Sequence, residues 1–296
     1  MNCIMIITAV VLVFSNVLNA HNQEDFSFMD KLRTLELNSE GHIGIYAVNT
    51  LNDYIIEYRA NEIFPTGCTS KVIGVSAVLK KSMSDPFLLS KNIKYSEEDL
   101  EEWSPITRKY VSIGITINDL CAASISFSDN TAMNLLLKII GGVQGMNEFA
   151  RSMGDLSFRQ DNDWPNEAFS GGLDNVKDSS TPKSMVESFR KLTLGEVLDS
   201  PRKDLLINWL INTNLGTFRI RSATPKSWIV GNKTGTGLTY GSTNDLAIIW
   251  PPNHAPILIG IYYTTINKHA KKREDIVASI AKILIEEFMH NDQTLI

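Results

Sequence analysis

The stretch Cys68-Thr69-Ser70-Lys71 carries a thiol three residues before an ammonium, at the start of an apolar run over residues 72–79. The apolar run is typical of a buried helix, and we expect Cys68 in its first turn. A helix turns by about 100° per residue, so Cys68 and Lys71 share a face. Ser70 points roughly 200° away from Cys68, which makes it a poor substitute nucleophile.

The position of Cys68 favours a reactive thiol. It lies near the positive end of a helix and close to an ammonium, and both stabilise a thiolate. Taken alone, the Cys-x-x-Lys spacing favours a small buried side chain instead, because free cysteine is among the most buried residue types. Two further motifs, Ser128-Asp129-Asn130 and Lys233-Thr234-Gly235, reverse that preference.

Composition limits the classes of protein to consider. The chain has 296 residues, 43% of them hydrophobic, which is enough for one large domain or two lobes. A net charge of -5 argues against nucleic acid as a partner. The one longer basic stretch, residues 268–273, is expected to open the last helix and face solvent.

The N-terminus predicts export from a bacterial cell. Residues 1–20 contain no charged side chain and include a short apolar core, so we expect a signal peptide cleaved near Ala20. No cysteine directly follows that site to accept a lipid, which predicts a periplasmic or secreted monomer without a stable membrane anchor. The cysteines that remain after cleavage are Cys68 and Cys121. Although an oxidising compartment allows a disulfide, the apolar surroundings of Cys121 favour two free thiols.

The hydrophobic pattern predicts strands at both ends of the chain and helices between them. The expected strands cover residues 42–48, 53–58, 228–231, 245–250 and 257–264, the helical part covers 64–209, and a last helix covers 271–288. This order indicates an α/β fold with an antiparallel sheet formed from both chain ends and an inserted all-α lobe.

The lobes of this predicted fold belong to a single domain over residues 21–296. One lobe comprises residues 21–62 and 212–296, and the helical lobe comprises residues 63–211. Active sites commonly lie at such an interface.

From the hairpin through the last helix, the mature chain resembles a class A β-lactamase. The resemblance extends beyond the three motifs to Phe64-Pro65, to Thr131-Ala132 and Asn134, and to Thr236-Gly237 followed by Asn244-Asp245. It implies the β-lactamase/transpeptidase-like fold, a small β-lactam as the partner, and neither a cofactor nor a metal.

The resemblance also implies catalytic roles. Cys68 stands where the family has its acylating serine, and its backbone N–H would form an oxyanion hole with that of Thr236. Lys71 would help to deprotonate the nucleophile, and Ser128 would pass a proton to the departing lactam nitrogen.

The resemblance also implies a set of residues that bind the substrate. Asn130 would orient the side-chain amide of the substrate, and Lys233 and Thr234 would bind its carboxylate. Arg219 resembles an arginine that some carbapenem-hydrolysing members place near that carboxylate, and Trp103 would flank the mouth of the cleft. The remaining substrate-binding positions of the third motif are Gly235 and Thr236.

Simpler interpretations of these residues remain open. Ser128-Asp129-Asn130 also suits a helix cap, and residues 233–237 suit an ordinary strand with glycines at a bend. Trp103 also fits a surface aromatic residue, and Arg219 a solvated charge.

The loop over residues 159–182 departs from the family, which uses a glutamate there to activate the deacylating water. Counting forward from Arg159 puts Trp164 in that place, whereas anchoring further along the loop puts Asn162 there. Glu167 is the only glutamate of the loop, and Asp163 is the other nearby carboxylate. Either would serve only in a rebuilt loop, and either also fits a solvated side chain.

The two departures together predict a β-lactam hydrolase that forms an acyl-enzyme on Cys68 faster than it releases it. Sulfur is larger than oxygen and would displace the acyl carbonyl from an oxyanion hole fitted to a serine ester. One alternative is a penicillin-binding pseudoenzyme or sensor that is acylated, or binds, without turnover. A weaker one is a D,D-peptidase.

Overall fold

A computed structural model describes residues 28–165 and 177–296, and the chain divides after Glu40 into two compact units. In the first unit, residues 28–39 form helix α1. Arg33 Nη1 lies 3.4 Å from Asp30 Oδ1, one turn away on this helix. The predicted signal peptide over residues 1–20 lies outside the described residues.

The second unit contains the described strands and the remaining described helices, with its longer strands near its two ends and most of its helices between them. Its strands are β1 (Gly41–Asn49), β2 (Tyr54–Tyr58), β3 (Phe64–Pro65), β4 (Asn92–Ile93), β5 (Ile115–Thr116), β6 (Ser179–Ser180), β7 (Ile229–Thr236), β8 (Thr243–Trp250) and β9 (Ile257–Thr265). Its helices are α2 (Lys71–Ser82), α3 (Ile117–Ser126), α4 (Asn130–Ile140), α5 (Gly142–Ser152), α6 (Pro182–Thr193), α7 (Ser200–Ile211), α8 (Ile220–Ala223) and α9 (Glu274–Asn291).

The five longer strands form one antiparallel sheet in the order β2-β1-β9-β8-β7. β1 from the beginning of the unit pairs with β9 from its end, so that Ile45 lies opposite Ile261. This pairing closes the sheet around the helical insertion, which is the predicted architecture. β7 forms one edge of the sheet and carries the third motif.

Helices cover both faces of the sheet, as its apolar strands require. α9 contacts β8 and β9, whereas α6 contacts β1 and β9. Gly260 of β9 allows the close approach of α6, because a Cβ there would lie 2.6 Å from Val186 Cγ2. The central helix α2 is buried along most of its length and packs against α3, α4 and α5.

Three details differ from the sequence expectation. The α-helix begins at Lys71, and Cys68 lies in the tighter 3₁₀ turn Gly67–Ser70 that leads into it. The last helix begins at Glu274, so the basic residues 268–273 precede it, and Arg273 pairs with Asp275. The predicted helical region also contains four two-residue strands, which are too short to show a periodicity.

Within the described ranges, no helix combines the length and apolar character needed to cross a bilayer. Cys68 and Cys121 are both free thiols, and Cys121 is fully buried in α3. The thiols therefore have different environments, one beside a cavity and one in the core.

Candidate active site

A cavity of about 370 Å³ lies beside β7 and the turn that precedes α2. Several predicted site residues line it, namely Cys68, Trp103, Ser128, Asn130, Arg219, Thr234 and Thr236. Lys71 and Lys233 are buried next to these residues. Glu167 lies outside the described residues.

The turn Gly67–Ser70 presents the Cys68 side chain to the cavity. Ser70 is fully buried, and its Oγ donates to Gly67 O at 2.8 Å. Thr69 is also buried, with its Oγ1 donating to Thr66 O at 2.6 Å. Gly235 brings β7 against this turn, because a Cβ there would lie 2.7 Å from Thr66 O. Of the side chains of this turn, the Cys68 thiol is therefore the one that reaches the cavity.

Two lysines determine the protonation of Cys68. Burial alone would raise the pKa of the thiol, but the positive charges of Lys71 and Lys233 outweigh this effect. Hydrogen bonds from Ser128 and Lys71 add to the stabilisation of the thiolate and hold the pKa below its ordinary value. Cys68 is half-buried and reaches the cavity, so its sulfur is accessible to a ligand.

Lys71 is held as a hydrogen-bond donor. Its Nζ donates to Ser128 O at 2.8 Å, Asn130 Oδ1 at 2.7 Å and Asp129 O at 3.3 Å. The ring of Trp164 lies 5.5 Å away from the same Nζ, measured to the ring centroid. Burial lowers the pKa of Lys71, whereas the charges of Cys68 and Asp129 and a hydrogen bond to Cys68 act in the opposite direction. Lys71 Nζ thus joins these three oxygens to the Cys68 side chain.

A chain of hydrogen bonds connects Lys233 to the thiol. Lys233 Nζ donates to Ser128 Oγ at 2.9 Å and to Thr234 O at 3.1 Å. The Ser128 hydroxyl, which accepts from Lys233, is the group that hydrogen-bonds Cys68. Burial, reinforced by the positive charges of Lys71 and Arg219, lowers the pKa of Lys233 to about 7. Ser128 is therefore placed to carry a proton between its neighbours.

Every N–H group of Arg219 already has a protein acceptor. Nη1 donates to Gly235 O at 2.9 Å and Asn244 O at 2.7 Å. Nη2 donates to Thr236 Oγ1 at 2.6 Å and to Glu274 Oε1, and Nε donates to Glu274 Oε1 as well. Because a guanidinium has five N–H groups, none is left for a ligand in this conformation. Since Thr236 Oγ1 accepts from Arg219, its own proton is free for the cavity.

Trp103 and Asn130 are joined at the mouth of the cavity. Trp103 is 59% exposed, and its Nε1 donates to Phe127 O at 3.0 Å. Its carbonyl accepts from Asn130 N at 3.1 Å. The Asn130 side chain donates through Nδ2 to Glu102 O at 2.8 Å while Oδ1 accepts from Lys71. Asn130 therefore links the mouth of the cavity to the buried ammonium.

Trp164 occupies the space beside Lys71. It is not among the predicted catalytic or substrate-binding residues. Its backbone is fixed by Asn134, which accepts from Trp164 N at 2.9 Å and donates to Trp164 O at 2.6 Å. The side chain is 1% exposed, and Nε1 has no hydrogen-bond partner among the described residues. Asn162, the other residue aligned with the family glutamate, donates to Asp178 instead. The count forward from Arg159 was the sequence signal that pointed to Trp164.

The Asp129 carboxylate next to this site is held by backbone N–H groups, whereas Glu102 and Glu274 line the cavity. Asp129 accepts from Ile106 N, Thr107 N and Ala132 N, at 2.9 to 3.0 Å. In the described parts of the chain, no group of three or more His, Cys, Asp or Glu side chains could hold a metal ion. The arrangement thus has a nucleophile, proton donors and cations, and it places an indole beside Lys71.

Comparison with known proteins gives the same family from sequence and from structure. A profile described as the β-lactamase enzyme family matches residues 27–288. Beta-lactamase OXY-2 of Klebsiella oxytoca is 43% identical over 258 residues, which cover 86% of this chain and 88% of that protein. Beta-lactamase Toho-1 of Escherichia coli is 41% identical over 279 residues, or 94% of each chain. The crystal structure of a β-lactamase from Desulfarculus baarsii DSM 2075 superposes with a TM-score of 0.86 at 37% identity, covering 88% of this chain and 97% of that one.

The fold and the matches together define a hydrolase that acts on β-lactams. The chain belongs to the β-lactamase enzyme family and is similar to its class A members. The family resemblance and the fold class inferred from the sequence are confirmed.

Proposed function

We propose that this chain opens the β-lactam ring through a thioester on Cys68 and that the thioester is hydrolysed slowly. The observation that carries the proposal is the Cys68 thiol on the cavity, beside the buried ammonium groups of Lys71 and Lys233 and the hydroxyl of Ser128. A thiolate held by two cations is nucleophilic without a separate base.

Acylation begins with attack of the Cys68 thiolate on the lactam carbonyl. The backbone N–H groups of Cys68 and Thr236 stabilise the negative charge that develops on the carbonyl oxygen. As the C–N bond breaks, Ser128 gives its proton to the lactam nitrogen. Lys233 donates a hydrogen bond to Ser128 and is positioned to replace that proton.

The substrate carboxylate binds on the β7 side of the cavity. Lys233 supplies a positive charge, and the hydroxyl groups of Thr234 and Thr236 supply hydrogen bonds. Arg219 acts through Thr236, because its own N–H groups are engaged. Asn130 orients the side-chain amide of the substrate.

Two other residues complete the proposed binding site. Gly235 keeps the strand close to the nucleophile turn, since a Cβ would meet Thr66 O at 2.7 Å. Trp103 flanks the mouth of the cavity, where 59% of the residue is exposed.

Slow deacylation follows from the groups that surround the thioester. Lys71 donates to three oxygens and hydrogen-bonds Cys68, and the Trp164 indole that lies 5.5 Å from its Nζ cannot accept a proton. Sulfur also holds the acyl carbonyl further from the backbone N–H groups than an ester oxygen would. Glu167 would act as the base only in a loop rebuilt to bring its carboxylate to the thioester.

The test is a time course with benzylpenicillin, followed by ring opening and by intact mass. We expect a stoichiometric adduct on Cys68 that forms faster than free product accumulates. In Cys68→Ala, the rate of ring opening should decrease by at least about a thousandfold, as expected for loss of a nucleophile. Absence of both turnover and adduct in the natural protein would exclude the proposal.

Replacement of sulfur by oxygen distinguishes an impaired site from an adapted one. If the protein descended recently from an active serine enzyme, Cys68→Ser should increase the rate of hydrolysis. Unchanged or lower activity in this variant would instead indicate that the thiol is the adapted nucleophile.

A penicillin-binding sensor is the second candidate, and the position of Trp164 favours it. An adduct that persists with no further turnover would support this function over hydrolysis. A D,D-peptidase is a weaker third candidate. Release of D-alanine from a peptide ending in D-Ala-D-Ala would support it.

The organisation predicted from the sequence remains part of the proposal. A signal peptide over residues 1–20 would deliver a monomer to the periplasm or the medium, where residues 21–296 act as one domain. Residues 21–62 and 212–296 would form one lobe and residues 63–211 the other, with antibiotic resistance as the cellular consequence. N-terminal sequencing of the exported protein would test the cleavage near Ala20.

A further inference from the structure

We propose that the acyl group on Cys68 is transferred to a small anionic thiol, so that the chain is also a β-lactam:thiol acyltransferase. The inference rests on the proposed thioester and identifies a second acceptor that competes with water. Three observations support it: the groups that face Cys68, the sulfur atom that carries the acyl group, and the charge of the cavity.

The first argument concerns the acceptor. Water must lose a proton as it attacks a carbonyl, and it needs a base for this. Lys71 already donates to three oxygens, and the indole of Trp164 lies over it at 5.5 Å. A thiolate carries its own negative charge into the reaction and therefore does not need the base. The same surroundings that slow attack by water leave attack by a thiolate unaffected.

The second argument concerns the leaving group. Transfer requires Cys68 to depart as a thiolate, and a better stabilised thiolate leaves faster. Lys71 and Ser128 hydrogen-bond the free Cys68 thiolate, and Lys233 adds a positive charge. An ester on serine would have to expel an alkoxide from the same position. Transfer to an acceptor thiol is therefore expected for an acyl group on cysteine and not for one on serine.

The third argument concerns the charge of the acceptor. The buried cations Lys233 and Arg219 lie at the cavity, and Lys272 lines its outer part with 57% of its side chain exposed. Two acidic residues offset part of this charge: Glu274, at 3.4 Å from Lys272 and 3.2 Å from Arg219, and Glu102, which also lines the cavity. The remaining positive charge attracts anions. The volume of about 370 Å³, shared with the acyl group, restricts the acceptor to a small molecule.

The transfer is balanced without an oxidant or a reductant. The acceptor thiolate attacks the thioester carbonyl, and the bond from that carbon to Cys68 Sγ breaks. The electron pair of the broken bond stays on Cys68, which returns to the thiolate form. The ring-opened β-lactam leaves as a thioester of the acceptor.

The experiment uses benzylpenicillin as the acyl donor and 2-mercaptoethanesulfonate as the acceptor. The natural protein is incubated with both, and mass spectrometry measures the penicilloyl thioester and penicilloic acid separately. The same donor and thiol without protein give the uncatalysed thiolysis, which is subtracted. An otherwise matched reaction contains 2-hydroxyethanesulfonate, which has the same charge and size but no thiol.

We expect the thiol to discharge the Cys68 adduct at least about tenfold faster than buffer alone, in line with the nucleophilicity of thiolates. The alcohol should have no effect, and the adduct of Cys68→Ser should not respond to the thiol. At equal thiolate concentration, cysteamine, whose amine is cationic, should act more slowly than the sulfonate. An acyl adduct that survives the thiol, or thioester formation equal to the uncatalysed reaction, would overturn the inference.

The experiment distinguishes failure of the thioester mechanism from failure of acyl transfer to the thiol. If neither an adduct on Cys68 nor ring opening is observed, the proposed thioester mechanism itself is wrong, and the transfer is excluded with it. If the adduct forms and only penicilloic acid appears in the presence of thiol, the thioester mechanism stands and the transfer is wrong. Equal rates with the sulfonate and with cysteamine would contradict the assignment of an anionic acceptor.

Discussion

The two sides of the cavity differ in how fully their polar groups are paired. On the β7 side, Arg219 uses all five N–H groups and Lys233 donates to Ser128 and Thr234. On the opposite side, Trp164 has a buried Nε1 without a partner among the described residues, and it stands over Lys71. In the proposed mechanism, the groups that bind the substrate carboxylate and the position beside Lys71 where a water would be activated therefore belong to separate elements of the fold. One of them can change while the other is retained.

The largest expected effect comes from placing a carboxylate at residue 164, beside Lys71. Trp164→Glu puts a proton acceptor beside Lys71, where Asn134 fixes the backbone of residue 164. A positioned general base contributes a factor of about a hundred or more, so deacylation should accelerate by about that factor. The rate of adduct decay in a single-turnover mass measurement gives this value.

The matched control is Trp164→Gln, which removes the same buried ring and adds a side chain of the same size without the base. Both variants should lose about 3 kcal/mol of stability, since a large buried aromatic group is replaced. Thermal unfolding checks that the losses are equal. Equal deacylation rates in the two variants would show that water activation does not limit turnover at this position.

A smaller effect is expected from titration of Lys233 on the β7 side. The pKa of about 7 means that Lys233 is charged below that pH and neutral above it. Its contribution to carboxylate binding is therefore present at low pH and lost as the pH rises. Binding of benzylpenicillin to Cys68→Ala, where no adduct can form, should weaken by about tenfold from about pH 6 to about pH 9. Because the Cys68 thiolate raises this pKa, the midpoint in Cys68→Ala should lie below about 7.

Lys233→Arg provides the control, since a guanidinium remains charged throughout this range. Its affinity should be nearly independent of pH, whatever its absolute value. An unchanged slope in this variant would assign the pH dependence to another group.

The smallest effect is expected at the outer end of the Arg219 network. Glu274→Gln removes the charge that pairs with Arg219 but leaves an oxygen to accept its hydrogen bonds. The second-order rate constant for acylation should decrease about threefold, whereas Thr236→Val should decrease it about tenfold by removing the hydroxyl. Adding Glu274→Gln to Thr236→Val should cause little further loss, because both act through the same hydrogen bond. Fully additive losses would contradict the positioning role of Arg219.

More of the β7 side of the cavity than of the side near Trp164 could be predicted from the sequence. The motif Lys233-Thr234-Gly235 combines local strand propensity with a specific chemistry, and both are encoded within a few residues. The contact between Trp164 and Lys71 joins a loop to a helix, and no periodicity in either segment encodes it. The number of occupied donors on Arg219 depends on acceptors from β7, β8 and α9, which only the assembled sheet brings together.

The boundaries of the elements were predictable only approximately, for a related reason. A 3₁₀ turn and an α-helix have similar side-chain spacing over one turn, so the sequence did not distinguish them at Cys68. The paired strands β3 and β6 depend on a contact between Phe64 and Ser180 rather than on their own composition. Long-range pairing therefore accounts for much of what the sequence left open.

The pairing of β1 with β9 also limits when the protein can assemble during its synthesis. The nascent chain completes β1 at Asn49, and one neighbour, β2, follows at once, but the other, β9, begins only at Ile257. A contact so distant along the chain closes late and makes folding slow. Lys71 lies only three residues from Cys68, but Lys233 and Ser128 reach the thiol only where the fold brings distant segments together. The full lowering of the Cys68 pKa therefore requires the assembled molecule.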